Sequence, residues 1–288
     1  MITTTVRASD GVALALHRLD PVPEGSSPPV LLAHAAFASH RVWLRGGAAG
    51  RGLAPFLRAR GHDIWLLDWR HHGASAREPG PFQWHFEDLI RRDAPAALSA
   101  VRRETGHQDV TWVGHSFGGA IGLAVLARDL GAGPTAVVTL GTPDPATGPF
   151  RRVFALLAVG VCRAAGRFPA RALRLGTEDE PALVLSDWMM WNVRGRWMGS
   201  DGFDYLAALK HLPTPLLSIA GSGDRLFAPP DACRTLVSRL GGTATSFVVV
   251  GPDLDHRGLV IDPHADEHCW PLIADWIAQQ ASSPRLAS

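Results

Sequence analysis

Three residues in this sequence have the types that nucleophilic catalysis needs: Ser116, Asp224 and His256. A serine hydroxyl is a weak nucleophile and requires a base that titrates near neutrality. An imidazole supplies that base, and a carboxylate holds the ring in the useful orientation. Ser116 lies in "VTWVGHSFGGAIGLA", where Gly114-His115-Ser116-Phe117-Gly118 spells G-x-S-x-G. That pattern forms a nucleophile elbow when a strand precedes it and a helix follows. Here the apolar run before Ser116 reads as a short buried strand, and the run after it as a buried helix. Glycines two positions to either side let the strand and helix backbones approach without a Cβ collision. Asp224 follows the strand-like "LLSIAG" and His256 follows "SFVVVG", so each falls in a loop at a strand C-terminal end. Asp253 and Asp255 compete for the acid role, but such close neighbours of His256 cannot readily fold back onto its ring nitrogen. Asp201 and Asp204 are weaker rivals.

The elements that must position these residues are short and apolar. "VLLAH", "DIWLLDW", "VTWVG", "AVVTLG", "LLSIAG" and "SFVVVG" recur along the chain as runs suited to a sheet covered on both faces. "TTTVRA" and "VALALHRL" flank Asp10-Gly11, a hairpin turn signal. Helical patterns fill several gaps. Phe86, Leu89 and Ile90 continue at helical spacing into Ala94, Ala97, Leu98 and Val101, or Pro95 opens a second helix that Gly106 ends. Trp270, Ile273, Trp276 and Ile277 form an apolar stripe near the C-terminus. Strands alternating with helices predict an α/β fold with a mostly parallel, eight-stranded sheet flanked by helices. The gap between Gly141 and Leu216 is too long for a simple crossover. Residues 147–212 are expected to form a helical lid inserted after the sixth strand, with 1–146 and 213–288 as the core domain.

Nearly the whole chain, from the hairpin to the last helix, resembles the α/β-hydrolase family of serine hydrolases. Besides the elbow, "GHDIWLLDWRHHGAS" is similar to the family's run through Asp68, Arg70, Gly73 and Ser75, which shapes a tight turn. "GSGDRLFAP" resembles its acid-bearing loop and "DHRGLV" its histidine loop. "FPARALRLGTEDEPALVLSDWMMWNVRGRW" resembles the lids of bacterial members for which no substrate is named. The resemblance implies an oxyanion hole built from the backbone N–H groups of Phe117 and Ala36. One departure stands out: His34-Ala35-Ala36-Phe37 replaces the family's usual His-Gly before the oxyanion residue, so Phe37 is an alternative donor. His34 is then a structural residue beneath this loop.

The expected activity is hydrolysis of carboxylic esters through an acyl-enzyme, with a medium apolar acyl or alcohol group. Thioester or C–C bond cleavage and acyl transfer can use the same triad, and a binding protein on the same scaffold is a further alternative. Phe37, Trp188, Trp191 and Trp197 are the expected substrate-binding residues, although the lid tryptophans equally suit an internal core. No metal or cofactor is required. His264-Ala265-Asp266-Glu267-His268 spells H-x-x-E-H, a zinc-protease pattern. No glutamate follows Glu267 to complete it, so the run reads as the polar first turn of a helix. His71-His72 reads as a solvent-facing turn.

Composition narrows the partners. The 288 residues carry 28 basic and 27 acidic side chains, without the clustered positive charge of a nucleic-acid binder. Three widely spaced cysteines suggest no disulfide framework or zinc site. The N-terminus lacks the pattern of a signal peptide, and no stretch approaches the about 18 apolar residues of a membrane span. The Phe154–Val161 segment is too short and too thinly flanked by basic residues for firm lipid contact. A cytoplasmic monomer or homodimer is expected, acting on a small-molecule ester, without nucleic acid or stable membrane insertion.

Overall fold

The structure, a computed structural model, describes residues 1–21, 27–75, 84–128, 133–145, 148–210, 213–241 and 244–282. The N-terminal runs form a hairpin, β1 (Ile2–Arg7) with β2 (Ala13–Arg18), turning at Asp10-Gly11. The next apolar runs become β3 (Val30–Ala33), β4 (Ile64–Leu67), β5 (Thr111–His115) and β6 (Ala136–Leu140), each buried at every position. A two-residue pair, β7 (Arg167–Phe168) with β8 (Glu180–Pro181), lies apart from the sheet. β9 (Leu216–Gly221) and β10 (Thr245–Val250) complete an eight-stranded sheet ordered β1-β2-β4-β3-β5-β6-β9-β10. β1–β2 and β2–β4 are antiparallel and all other pairs are parallel. The C-terminal ends of the parallel strands therefore share one edge, where the loops carrying Ser116, Asp224 and His256 emerge. β10 departs from the continuous burial that its apolar sequence suggests: as the edge strand it is half-exposed along most of its length.

Helices cover both faces. α1 (Leu53–Arg58) packs on one face; α2 (Phe86–Asp88), α3 (Ala94–Thr105) and α4 (Phe117–Arg128) pack on the other. Pro95 lies in the first turn of α3 and Gly106 ends it. The stripe from Phe86 does not break there, because Leu89–Asp93 form one wider π turn that joins α2 to α3. The segment between β6 and β9 is mostly helical: α5 (Pro149–Ala165), α6 (Ala182–Arg194) and α7 (Tyr205–Leu209). Residues 146, 147 and 212, at the expected lid boundaries, lie outside the described residues. α8 (Pro230–Arg239), α9 (Gly258–Ile261), α10 (Ala265–His268) and α11 (Trp270–Ser282) follow. Ile273 and Ile277 of α11 join Leu57 of α1 in the core on one face, and Leu98, Val101, Ile121 and Val125 build the core on the other. Each such side chain contributes about 1.5–3 kcal/mol when fully buried.

The turn after β4 is tied by polar contacts. The Asp68 carboxylate accepts the backbone N–H groups of His40 (2.7 Å) and Ala74 (2.8 Å). It also meets His17 Nε2 at 3.0 Å and His40 Nδ1 at 2.8 Å. Burial opposes its ionisation, yet these hydrogen bonds hold the carboxyl well below the usual range. Ser75 Oγ–H donates to the Asp68 carbonyl at 2.7 Å and accepts the Ala15 N–H at 2.8 Å, fastening the turn to β2. Arg70 is 1% exposed; it donates through Nε to Asp93 at 3.0 Å and through a terminal nitrogen to Asp10 at 2.9 Å. The pair joins this turn to the π turn. Asp93→Ala should leave the buried guanidinium short of a partner and lower stability by about 3–5 kcal/mol, read from urea unfolding; a change within error would contradict the pairing.

Candidate active site

β5 ends at His115 and α4 starts at Phe117, leaving Ser116 alone at the joint. Its φ is +51°, a left-handed conformation that costs a residue with a Cβ about 1–3 kcal/mol. The Ser116 N–H donates to the Leu140 carbonyl on β6 at 2.7 Å, which pins the turn to the sheet. The glycines at 114 and 118 answer a close approach. A Cβ on Gly114 would stand 2.4 Å from the Gly118 carbonyl oxygen, and one on Gly118 would stand 2.2 Å from the Ala33 oxygen. Any side chain at either position would push α4 off the sheet and move Ser116.

The loop after β9 presents Asp224, which is buried, and the loop after β10 presents His256. His256 Nδ1 lies 2.7 Å from Asp224 Oδ2. The carboxylate also accepts the N–H groups of Leu226 (3.2 Å), Phe227 (3.0 Å) and Ala228 (2.9 Å). Burial alone would raise the Asp224 pKa, but the bond and charge of His256 and these backbone donors outweigh it and lower it. The aspartate is thus held ionised, and with Nδ1–H committed to it, the Nε2 face of His256 is left to accept a proton. His256 and Ser116 line one cavity. Of the rival acids, Asp255 is spent on the Gly258 N–H at 2.6 Å, and Asp201 pairs with Arg128 at 2.7 Å. Asp204 caps α7 through the Ala207 N–H at 3.0 Å, and exposed Asp253 carries a positive φ in the turn before His256.

His115, the variable residue before the serine, has a part that the motif does not announce. Its Nε2–H donates to the His256 carbonyl at 2.9 Å, and the two rings lie 4.9 Å apart. Burial, aided by the neighbouring His256, lowers its pKa to about 3. A neutral His115 therefore anchors the loop that carries the candidate base.

Ala36 and Phe117 line the same cavity, and neither N–H is paired among the described residues. Phe37 is placed differently from the alternative raised by the sequence. Its N–H donates to Glu180 Oε1 at 3.0 Å, so it is already spent. Its carbonyl accepts the Thr177 and Glu178 N–H groups at 2.8 and 3.1 Å. Phe37 has φ +64°, and its ring stacks on Phe168 at 5.2 Å. The insertion thus grips this loop on both sides. His72 corrects the expectation of a solvent-facing turn: it is 2% exposed, with Nε2 3.0 Å from Glu180 and Nδ1 3.0 Å from the Arg70 carbonyl. Two acceptors require both ring nitrogens to donate, so His72 is the cation. Burial works to lower its pKa, but the Glu180 carboxylate overcomes this and raises it to about 9. His34 is buried and neutral beneath the loop, pushed down to about 4 chiefly by burial; its Nε2 accepts the Trp69 N–H at 3.3 Å.

The cavity beside Ser116 has a volume of about 480 Å³. Phe37 and Trp188 line it, together with Phe117, Phe168, Leu185 and Met189. Trp191 and Trp197 do not: they stack on each other at 5.6 Å behind Trp188, and Trp191 also meets Tyr205 and Phe86. The aromatics of the segment between β6 and β9 therefore divide between a cavity wall and an internal core. The H-x-x-E-H run ends as α10 at the surface, with Glu267 4.0 Å from His264 and 3.9 Å from His268. Among the described residues one group has the spacing of metal ligands, His17, His40 and Asp68, and its contacts are those of the buried turn network.

The alpha/beta hydrolase fold family matches residues 28–159, just under half of the chain. Lipase member N of Mus musculus is 29% identical over 137 residues, which cover 42% of this chain and 33% of that protein. The match spans about a third of the length of such lipase relatives. An esterase from Exiguobacterium antarcticum superposes with a TM-score of 0.65 at 14% identity, covering 98% of this chain and 100% of that one. A thermophilic esterase from Thermogutta terrifontis gives a TM-score of 0.64 at 16% identity, with coverage of 98% and 100%. The chain is an α/β-hydrolase-fold protein. Among the described residues no helix is long and apolar enough to cross a membrane.

Glu180 connects this site to stability and to pH. Glu180→Ala should cost about 3–5 kcal/mol, because a buried charge loses its partner, and should lower kcat more than it changes KM. The His72–Glu180 pair stabilises the native state fully below about pH 6.5, the ordinary histidine value, and that stability is lost as pH rises through about 9. Thermal unfolding followed across this range should show the decline in wild type and a flatter profile in the variant. Parallel profiles would contradict the pairing.

Proposed function

We propose that this protein is a serine hydrolase of carboxylic esters working through an acyl-enzyme. The observation that carries the reading is the 2.7 Å contact of a buried Asp224 with His256, which lines the same cavity as a serine held at positive φ. Ser116 Oγ attacks the ester carbonyl while His256 Nε2 takes its proton; Asp224 keeps the ring oriented and stabilises the imidazolium. The Ala36 and Phe117 N–H groups receive the oxyanion, and each such donor is worth about 3–4 kcal/mol of barrier. His256 then delivers the proton to the departing alcohol. Water, activated by the same imidazole, releases the acid and restores Ser116. Lipase and esterase relatives support the ester as the bond cleaved.

The apolar wall of Phe37, Trp188 and Met189 favours a medium apolar acyl or alcohol group. Each methylene buried there contributes about 0.8 kcal/mol, roughly fourfold in specificity. A flexible methionine makes the optimum broad. Trp191 and Trp197 act in this reading as the support that keeps Trp188 in place.

A fluorophosphonate probe should label Ser116 in wild type and leave Ser116→Ala unlabelled. Asp224→Asn should remain folded and lose kcat by about 10⁴-fold, the usual consequence of a misoriented imidazole. Equal labelling of wild type and Ser116→Ala, or full activity in Asp224→Asn, would contradict the assignment.

A further inference from the structure

The cavities beside Ser116 have a charge asymmetry that the chain as a whole lacks. Apart from His115 and His256, every ionisable residue lining them among the described residues is an arginine: Arg45, Arg171, Arg174 and Arg257 in the larger cavity, Arg151 in the smaller. Among the described residues, no Asp, Glu or Lys lines either one. The first four arginines are exposed, whereas Phe117, Phe168, Leu185 and Trp188 of the same lining are buried. The cavity therefore combines an apolar wall with cations at its exposed margin.

Elsewhere several arginines donate to backbone carbonyls, as Arg7 and Arg58 do, and others pair with carboxylates. Arg18 meets Asp63 at 2.8 Å, Arg70 meets Asp10 at 2.9 Å, and Arg128 meets Glu87 at 2.8 Å. Among the described residues, no carboxylate lies at ion-pair distance from the guanidinium groups of Arg45, Arg171, Arg174 or Arg257. Acids close to them in sequence are engaged. Asp179 accepts the Arg171 backbone N–H at 2.9 Å and faces Arg167 at 3.8 Å. Glu180 holds Phe37 and His72, and Asp255 holds the Gly258 N–H. Arg151 donates to the Phe227 carbonyl at 2.6 Å.

We propose that the cavity takes an ester bearing a negative charge remote from the bond that is cleaved. An apolar segment lies along Phe37, Phe168 and Trp188, and a carboxylate or phosphate meets the arginines. This deepens the ester-hydrolase reading and rests on it. Planar guanidinium forks match the paired oxygens of either anion. Several cations around one opening also draw anions toward it, an attraction that salt screens over about 10 Å at 0.1 M. A wholly neutral ester makes no use of this charge.

Two soluble substrates of equal acyl length test the proposal: p-nitrophenyl hexanoate and the mono-p-nitrophenyl ester of adipic acid, which ends in a carboxylate. At low salt, kcat/KM should favour the adipate ester by about tenfold, the gain of one charge-assisted contact. The ratio should fall toward one in high salt and in the Arg174→Gln/Arg257→Gln variant. A second arm uses Ser116→Ala and follows tryptophan fluorescence on titration with hexanoate, hexyl phosphate and hexanol. One of the anions should bind more tightly than the alcohol, and which one does identifies carboxylate or phosphate. Equal turnover of the two esters with equal binding of anions and alcohol would overturn the proposal and leave the hydrolase reading intact. Failure of wild type to turn over either ester or to react with fluorophosphonate would instead overturn the hydrolase reading, and the binding arm would still decide the anion site. A charge effect seen only when neutral ester is presented on anionic phospholipid vesicles would assign the arginines to a lipid surface and likewise overturn the proposal.

Discussion

The approach of α4 to the sheet at Ser116 is closer than any side chain would allow, and the site is arranged around that constraint. Gly114 and Gly118 sit where a Cβ would fall 2.4 and 2.2 Å from backbone oxygen. With those positions clear, β5 can turn into α4 within one residue, and that residue must take a positive φ. The strain of about 1–3 kcal/mol is held by the sheet on both sides, through pairing of β5 with β3 and β6 and through the Ser116 N–H bond to Leu140. A serine on a relaxed turn would have freedom to move away from its base. Here the parallel strands that fix the turn also end at the edge where β9 and β10 deliver Asp224 and His256.

A second constraint couples the insertion to the core. Glu180 comes from the insertion, yet its carboxylate is buried against His72 and the Phe37 N–H. A charge pair so dry is favourable only when its members are well hydrogen-bonded, and His72 achieves this through the Arg70 carbonyl. Arg70 is itself buried and paired with Asp93. One chain of polar contacts therefore runs from the turn after β4 to the loop beside Ser116. Ala35 and Ala36 lead into the Phe37 that these contacts hold, so the loop is fastened from outside by the segment that carries Glu180.

Much of this was legible in the residues. Apolar runs of four to six residues mark the parallel strands because those strands are covered on both faces, and Asp224 and His256 follow two of them directly. β10 was less legible, since an edge strand can keep an apolar sequence while half-exposed. The division of the tryptophans between β6 and β9 was not readable: Trp188, Trp191 and Trp197 share one composition, and only tertiary packing sends the first to the cavity and the others behind it. His72 misled because an adjacent histidine pair in a polar turn resembles a solvated one, and its partner lies 108 positions away. The arginines at the cavity are likewise scattered from 45 to 257 and carry no local pattern.

The central claim is that Ser116 becomes covalently acylated during turnover. Rapid chemical quench of the wild-type protein with excess p-nitrophenyl hexanoate, followed by peptide mass spectrometry, measures this directly. A hexanoyl adduct on the peptide containing Ser116 should form in step with a burst of nitrophenol. Turnover proceeding with no adduct on that peptide, and continuing at an equal rate in Ser116→Ala, would contradict it.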